Sequence, residues 1–170
     1  MPTTQRRSSV IKALLPVLML LLTEAAHASY SWQFGQGIGT NQEDRVTDVA
    51  FDPNDQFVYA VGYSENNNDL STGLEYSEND QGFLIKFNET GAAIWQLEIG
   101  GSGLETAESV AVGTDGTVYM TGSFTQTCKF FNGTGSQAGT TLTSAGGSDV
   151  YLAAYNPNGT FLWATRIGGS

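Results

Sequence analysis

Histidine, cysteine and basic side chains are scarce in this 170-residue chain: one His, one Cys and 7 Lys plus Arg stand against 17 Asp plus Glu. The single His, His27, lies in a segment that reads as a cleaved leader, so the mature chain has no imidazole for general-base work or a zinc site. A lone Cys128 excludes an intramolecular disulfide. It is expected as a small residue partly buried near a strand end, with intermolecular pairing or thiol reactivity as the alternative. The shortage of positive charge, a formal net charge of −10, argues against nucleic acid and against adsorption to anionic lipid. Convincing helical periodicity is missing after residue 28, and so is any apolar run long enough for a transmembrane anchor.

What the chain does have begins with residues 1–28. Arg6, Arg7 and Lys12 form a charged n-region, Ala13 to Leu22 is apolar apart from Pro16, and Ala26-His27-Ala28 is a small-x-small cleavage site. A secreted protein starting at Ser29 is expected, extracellular, on the cell surface or periplasmic. Its removal leaves 4 basic against 16 acidic side chains, a net charge of −12.

The remaining 29–170 repeats itself. Trp95-Gln-Leu-Glu-Ile-Gly-Gly-Ser102 lies over Trp163-Ala-Thr-Arg-Ile-Gly-Gly-Ser170, and Phe87-Asn88-Glu-Thr-Gly91 over Tyr155-Asn156-Pro-Asn-Gly159. Val58-Tyr59-Ala-Val-Gly62 matches Val118-Tyr119-Met-Thr-Gly122, and a variable loop between Gly62 and Phe87 absorbs the change in offset. The recurring positions Tyr59, Gly62, Trp95, Gly100 and Gly101, with Tyr119, Gly122, Trp163, Gly168 and Gly169, are read as structural. A partial third copy opens the mature chain at Trp32-Gln-Phe-Gly35, a strand expected at about 31–35.

Each repeat divides into four strand-like runs. They fall near Val46–Phe51, Phe57–Tyr63, Phe83–Asn88 and Ala93–Ile99, then Glu108–Val112, Val118–Phe124, Val150–Asn156 and Phe161–Ile167. Phe83, Ile85 and Phe87 share one face, as do Trp95, Leu97 and Ile99. Turn chemistry separates them at Pro53-Asn54-Asp55, Glu89-Thr90-Gly91, Thr114-Asp115-Gly116 and Pro157-Asn158-Gly159. The expected fold is all-β, with four-stranded antiparallel propeller blades at about 46–99 and 107–167.

Ser109-Val110-Ala111-Val112, Val-Tyr-x-Thr-Gly at 118–122, Gly-Ser-Asp-x-Tyr at 147–151, Asn-Pro-Asn-Gly at 156–159, Trp163 and Ile-Gly-Gly at 167–169 together resemble the SBBP-type β-propeller repeat. The likeness covers the mature chain and is looser in the first repeat, where Ala60-Val61-Gly62 and Asp80-Gln81-Gly82 replace the pattern. The resemblance implies a secreted or surface-exposed propeller, usually part of a longer chain, without an assigned activity; it supplies no catalytic residues.

Two blades cannot close a ring, which wants at least four. The chain is therefore expected to be part of a larger propeller, to be completed by self-association, or to stand as an imperfect β-sandwich.

No catalytic residue is assigned. Paired carboxylates would suit an extracellular glycan hydrolase, but most Asp and Glu fall in turns or on solvent faces. The acidic loop at 64–81 offers oxygen ligands for calcium in Asp69, Glu75, Glu78 and Asp80, without EF-hand spacing, and a solvated loop is the alternative. No other cofactor is expected. An extracellular protein or glycan partner would be met by loop aromatics, Tyr76, Phe130 and Phe131, because loops on a rigid scaffold carry recognition. Sequons at Asn88, Asn132 and Asn158 matter only in a glycosylating host.

Overall fold

A computed structural model describes residues 43–52, 57–65 and 81–169. The leader, the strand expected at 31–35, the turn at Pro53-Asn54-Asp55 and the candidates Asp69, Glu75, Tyr76, Glu78 and Asp80 lie outside the described residues.

Among the described residues, eight antiparallel strands form one curled half-barrel sheet and no helix occurs. The first repeat supplies β1 (Asp44–Phe51), β2 (Val58–Ser64), β3 (Gln81–Phe87) and β4 (Ala93–Gly101) as a meander. The second supplies β5 (Ser109–Val112), β6 (Val118–Phe131), β7 (Gln137–Tyr155) and β8 (Phe161–Ile167), paired in the same order. The four-strand division of each repeat is the one that the alternation and turn residues predict.

The β3–β4 and β7–β8 turns show why the repeat conserves its turn residues. Asn88 Oδ1 accepts the backbone N–H of Thr90 and Ala92, and Asn156 Oδ1 accepts those of Asn158 and Thr160, all at 2.9–3.0 Å. Each turn then reverses through a glycine in the left-handed region, Gly91 at φ 79° and Gly159 at φ 76°, where a Cβ would be strained.

One part of the strand assignment is corrected. Residues 125–149 were expected as a variable loop, yet β6 continues to Phe131 and β7 starts at Gln137, joined by a turn at Asn132–Gly135. The arms pair from Thr127↔Thr143 to Phe131↔Gln137 beyond a bulge at Gln126, which adopts φ 55°. Alternation explains it: Phe124, Cys128 and Phe130 point inward from even positions and are buried. The extension also ties the repeats together, because Ile99, Gly100 and Gly101 of β4 pair with Phe130, Lys129 and Cys128 of β6.

The core lies between the two repeats. Tyr59, Val61, Leu84, Leu97 and Ile99 from the first meet Val118, Met120, Tyr151, Ala153 and Tyr155 from the second in one buried cluster. The other face of the first repeat is also buried, through Ala60, Phe83, Ile85 and Phe87. Every residue of β3 is consequently buried, as for a central strand covered on both sides.

Candidate functional site

The contact between repeats is built around Trp95. Register places Tyr59, Lys86 and Trp95 side by side across β2, β3 and β4, and the two rings lie 5.9 Å apart at 57°. The β7–β8 turn of the second repeat seats on this row. The Pro157 carbonyl accepts the Trp95 Nε1–H and a proton of Lys86 Nζ, each at 3.1 Å. The same ammonium lies 3.8 Å from the centre of the Phe57 ring, a cation–π contact in a buried setting. Gly159 passes directly over the indole, so that a Cβ there would stand 2.9 Å from Trp95 Cδ2.

A second link joins the outer strands. Asp48 of β1 accepts the Ser109 hydroxyl at 2.7 Å and the Val110 N–H at 3.0 Å from β5, besides the N–H of Val49 at 2.8 Å. These donors, Val110 foremost and then Ser109, hold its carboxyl below the ordinary carboxylate range.

The recurring glycines mark close approaches. A Cβ on Gly62 would run into the Arg45 carbonyl, and one on Gly122 into the Thr106 carbonyl, the matching position of the second repeat. Gly101 faces the Thr127 carbonyl in the same way, Gly100 backs on the Gln81 side chain, Gly168 on the Asp149 carboxylate, and Gly169 meets nothing within 4 Å. Asp149 is buried and pairs with Arg166 at 3.3 Å while accepting the Ala145 N–H at 2.7 Å.

Two ligand candidates are corrected. Phe130 and Phe131 are not loop residues presented to a partner: both lie on β6 and are buried, at 0% and 1% exposure. Phe130 stacks on Phe161 at 5.4 Å and meets the edge of Tyr151 at 5.5 Å. Alternation along the hairpin arm turns Phe130 inward, and Phe131, the next residue on the strand, is buried as well. Cys128 is fully buried, and burial, with Glu105 nearby, pushes its thiol well above the ordinary value, so it is a packed core residue and a poor nucleophile.

Four of the acidic residues do not lie on solvent faces: Asp52, Glu98, Glu105 and Asp149 are buried. Among the described residues, no three His, Cys, Asp or Glu side chains converge as a metal would require. Of the sequons, Asn132 donates its amide to Ser136 and accepts the Phe161 N–H, so its side chain fastens the hairpin tip. Asn158 is exposed.

The described aromatics divide in a way that the sequence did not announce. Tyr59, Tyr151 and Tyr155 are fully buried, whereas Tyr119 and Trp163, the second-repeat counterparts of Tyr59 and Trp95, are 36% and 43% exposed. Their rings still form a pair, 6.3 Å apart at 53°, on the outer face of the second repeat. Register sets Tyr119, Ala154 and Trp163 in a row there, with Val150 and Ile167 also exposed beside them.

No family model matches the chain. It is similar to an uncharacterized WD repeat-containing protein of Acanthamoeba polyphaga mimivirus, 29% identical over 121 residues, with 58% of this chain covered. The match spans 8% of the length of that protein. The distant WD-repeat likeness and the curled antiparallel sheet are compatible with a β-propeller type of repeat.

Proposed function

We propose that this protein is a β-propeller-type scaffold of the SBBP-like kind, exported from the cell, that holds an extracellular protein or glycan and performs no catalysis on it. The observation that carries this reading is the face-to-face stacking of two sequence repeats through the Trp95–Pro157 junction. Such an arrangement spends its aromatic and glycine motif residues on packing and leaves its loops for recognition. The n-region, apolar run and cleavage site at 1–28 support export.

The test has two parts. The chain produced with its leader in a secreting host should appear outside the cytoplasm with Ser29 as its first residue; retention of an intact Met1 chain inside would overturn export. The purified protein should release no reducing ends from a panel of polysaccharides. Steady hydrolysis abolished by a single substitution such as Glu98→Gln or Glu105→Gln would replace the scaffold reading with a glycan hydrolase.

A further inference from the structure

We infer that the outer face of the second repeat, centred on Tyr119 and Trp163, is the seat of a further blade of this same repeat type, anchored through the turn between its last two strands. The inference rests on the propeller reading above and adds the partner and its point of attachment.

The molecule already contains this docking once. In the first repeat the row Tyr59–Lys86–Trp95 is covered by the second repeat, whose Pro157 carbonyl accepts the indole N–H while Gly159 lies flat on the ring. The second repeat carries the same tyrosine and tryptophan at the same register positions, facing away from the first. The two ring pairs have nearly the same geometry, 5.9 Å and 57° against 6.3 Å and 53°. The cover differs: Tyr59 is fully buried, and its counterpart Tyr119 is 36% exposed.

The surroundings of Trp163 suit a sheet rather than a charged ligand. In a chain with a net charge of −10, the strand positions around the two rings on this face, Tyr119, Thr121, Val150, Leu152, Trp163 and Ile167, carry no charge. Seating an apolar sheet there would leave no carboxylate desolvated, which the cost of burying an unpaired charge would otherwise forbid. The complementary face is known from the interface already formed: it alternates as Val118, Met120, Ala153 and Tyr155 do and ends in an Asn-Pro-x-Gly turn. Among the described residues, a second copy of this chain has no such face to offer. Its own Val118 face is closed by the first repeat, and Ala60, Phe83, Ile85 and Phe87, the matching positions of the first repeat, are buried too.

The test is an extended chain in which a copy of Gly103–Gly169 follows residue 170, with the tryptophan of the added copy changed to Phe. Acrylamide quenching of Trp163 is taken as the difference between each protein and its Trp163→Phe variant, and that of Trp95 likewise. Extension should reduce the quenching of Trp163 to the level of Trp95 and shift its emission to the blue. Unchanged access to Trp163 would overturn the inference, whether or not the added residues contribute β-type dichroism, since the same residues fold against the equivalent face of the first repeat. Dimerisation of the unextended chain that is lost in Tyr119→Asp would also overturn it, as would shielding of Trp163 by cellohexaose in the unextended chain. Failure of the propeller reading itself would show separately, as a Trp95 that is no less quenched than Trp163 before any extension.

Discussion

Replacing Gly159 by Ala places one methyl group at the junction between repeats, and its cost can be assembled from two sources. Gly159 has φ 76°, and a non-glycine residue there costs about 1–2 kcal/mol. The added Cβ would lie 2.9, 3.1 and 3.2 Å from three ring atoms of Trp95, closer than packed carbons tolerate. The indole cannot simply swing away, because its Nε1–H is bonded to Pro157 of the same turn. Overpacking of this kind costs about 1–3 kcal/mol, so Gly159→Ala should destabilise the protein by about 2–5 kcal/mol. The two sources separate in a double-mutant cycle with Trp95→Leu. With the ring removed, the backbone part remains and the steric part goes, leaving a coupling of about 1–3 kcal/mol. Urea unfolding of the four proteins, followed by circular dichroism, measures each corner. An equal cost of Gly159→Ala with and without the indole would refute the stacking of this turn on Trp95.

Phe130→Ala should cost about 3–5 kcal/mol in the same assay, as expected for a buried aromatic side chain and not for a ligand-facing one. A loss below about 1 kcal/mol, of the size seen at surface positions, would return Phe130 to the exterior. Asp48→Asn should cost about 1 kcal/mol, modest because the site is open to solvent. Since the folded carboxyl titrates below its unfolded value, that contribution is complete above about pH 5 and is lost as the pH falls through the folded value. Unfolding curves of the two proteins should therefore converge in acid, and a gap that persists there would contradict the Val110 and Ser109 hydrogen bonds. Cys128 should resist a thiol reagent at pH 8 in the native protein and react fully in urea; rapid native labelling would contradict its burial.

The strands of this fold are legible because their turns are. Asn88 and Asn156 act through their own side-chain oxygens within four residues, and Gly91 and Gly159 through their own φ, so the pattern carries the geometry locally. The recurring Gly62 and Gly122 are visible as repeat positions, but their reason is tertiary: each is pressed by a carbonyl sixteen or seventeen residues away, Arg45 or Thr106. The hairpin at 125–149 was written in Cys128, Phe130 and the Asn-Gly-Thr-Gly turn that follows. Burial of Glu98 was not legible, because β4 places it opposite Leu97 and Ile99 on a face that looks solvent-directed in an amphipathic strand. Only a sheet covered on both sides, which a repeat architecture requires of inner blades, makes that position an interior one.

The two aromatic rows also show where repetition stops being equivalence. Lys86 stands between Tyr59 and Trp95, and its ammonium both meets the Phe57 ring and donates to the Pro157 carbonyl. Its counterpart between Tyr119 and Trp163 is Ala154, fully buried beneath the two rings, and the counterpart of Phe57 is Thr117. A turn seated on the second row would thus find one donor for its proline carbonyl in place of two, and no cation enclosed by rings. Hydrogen bonds from charged donors contribute about 1.5–3 kcal/mol against about 1 kcal/mol for neutral ones, so the second junction would be the weaker of the two even with identical aromatic packing. The first repeat, with its lysine, therefore holds its neighbour more tightly than the second would hold the same kind of blade.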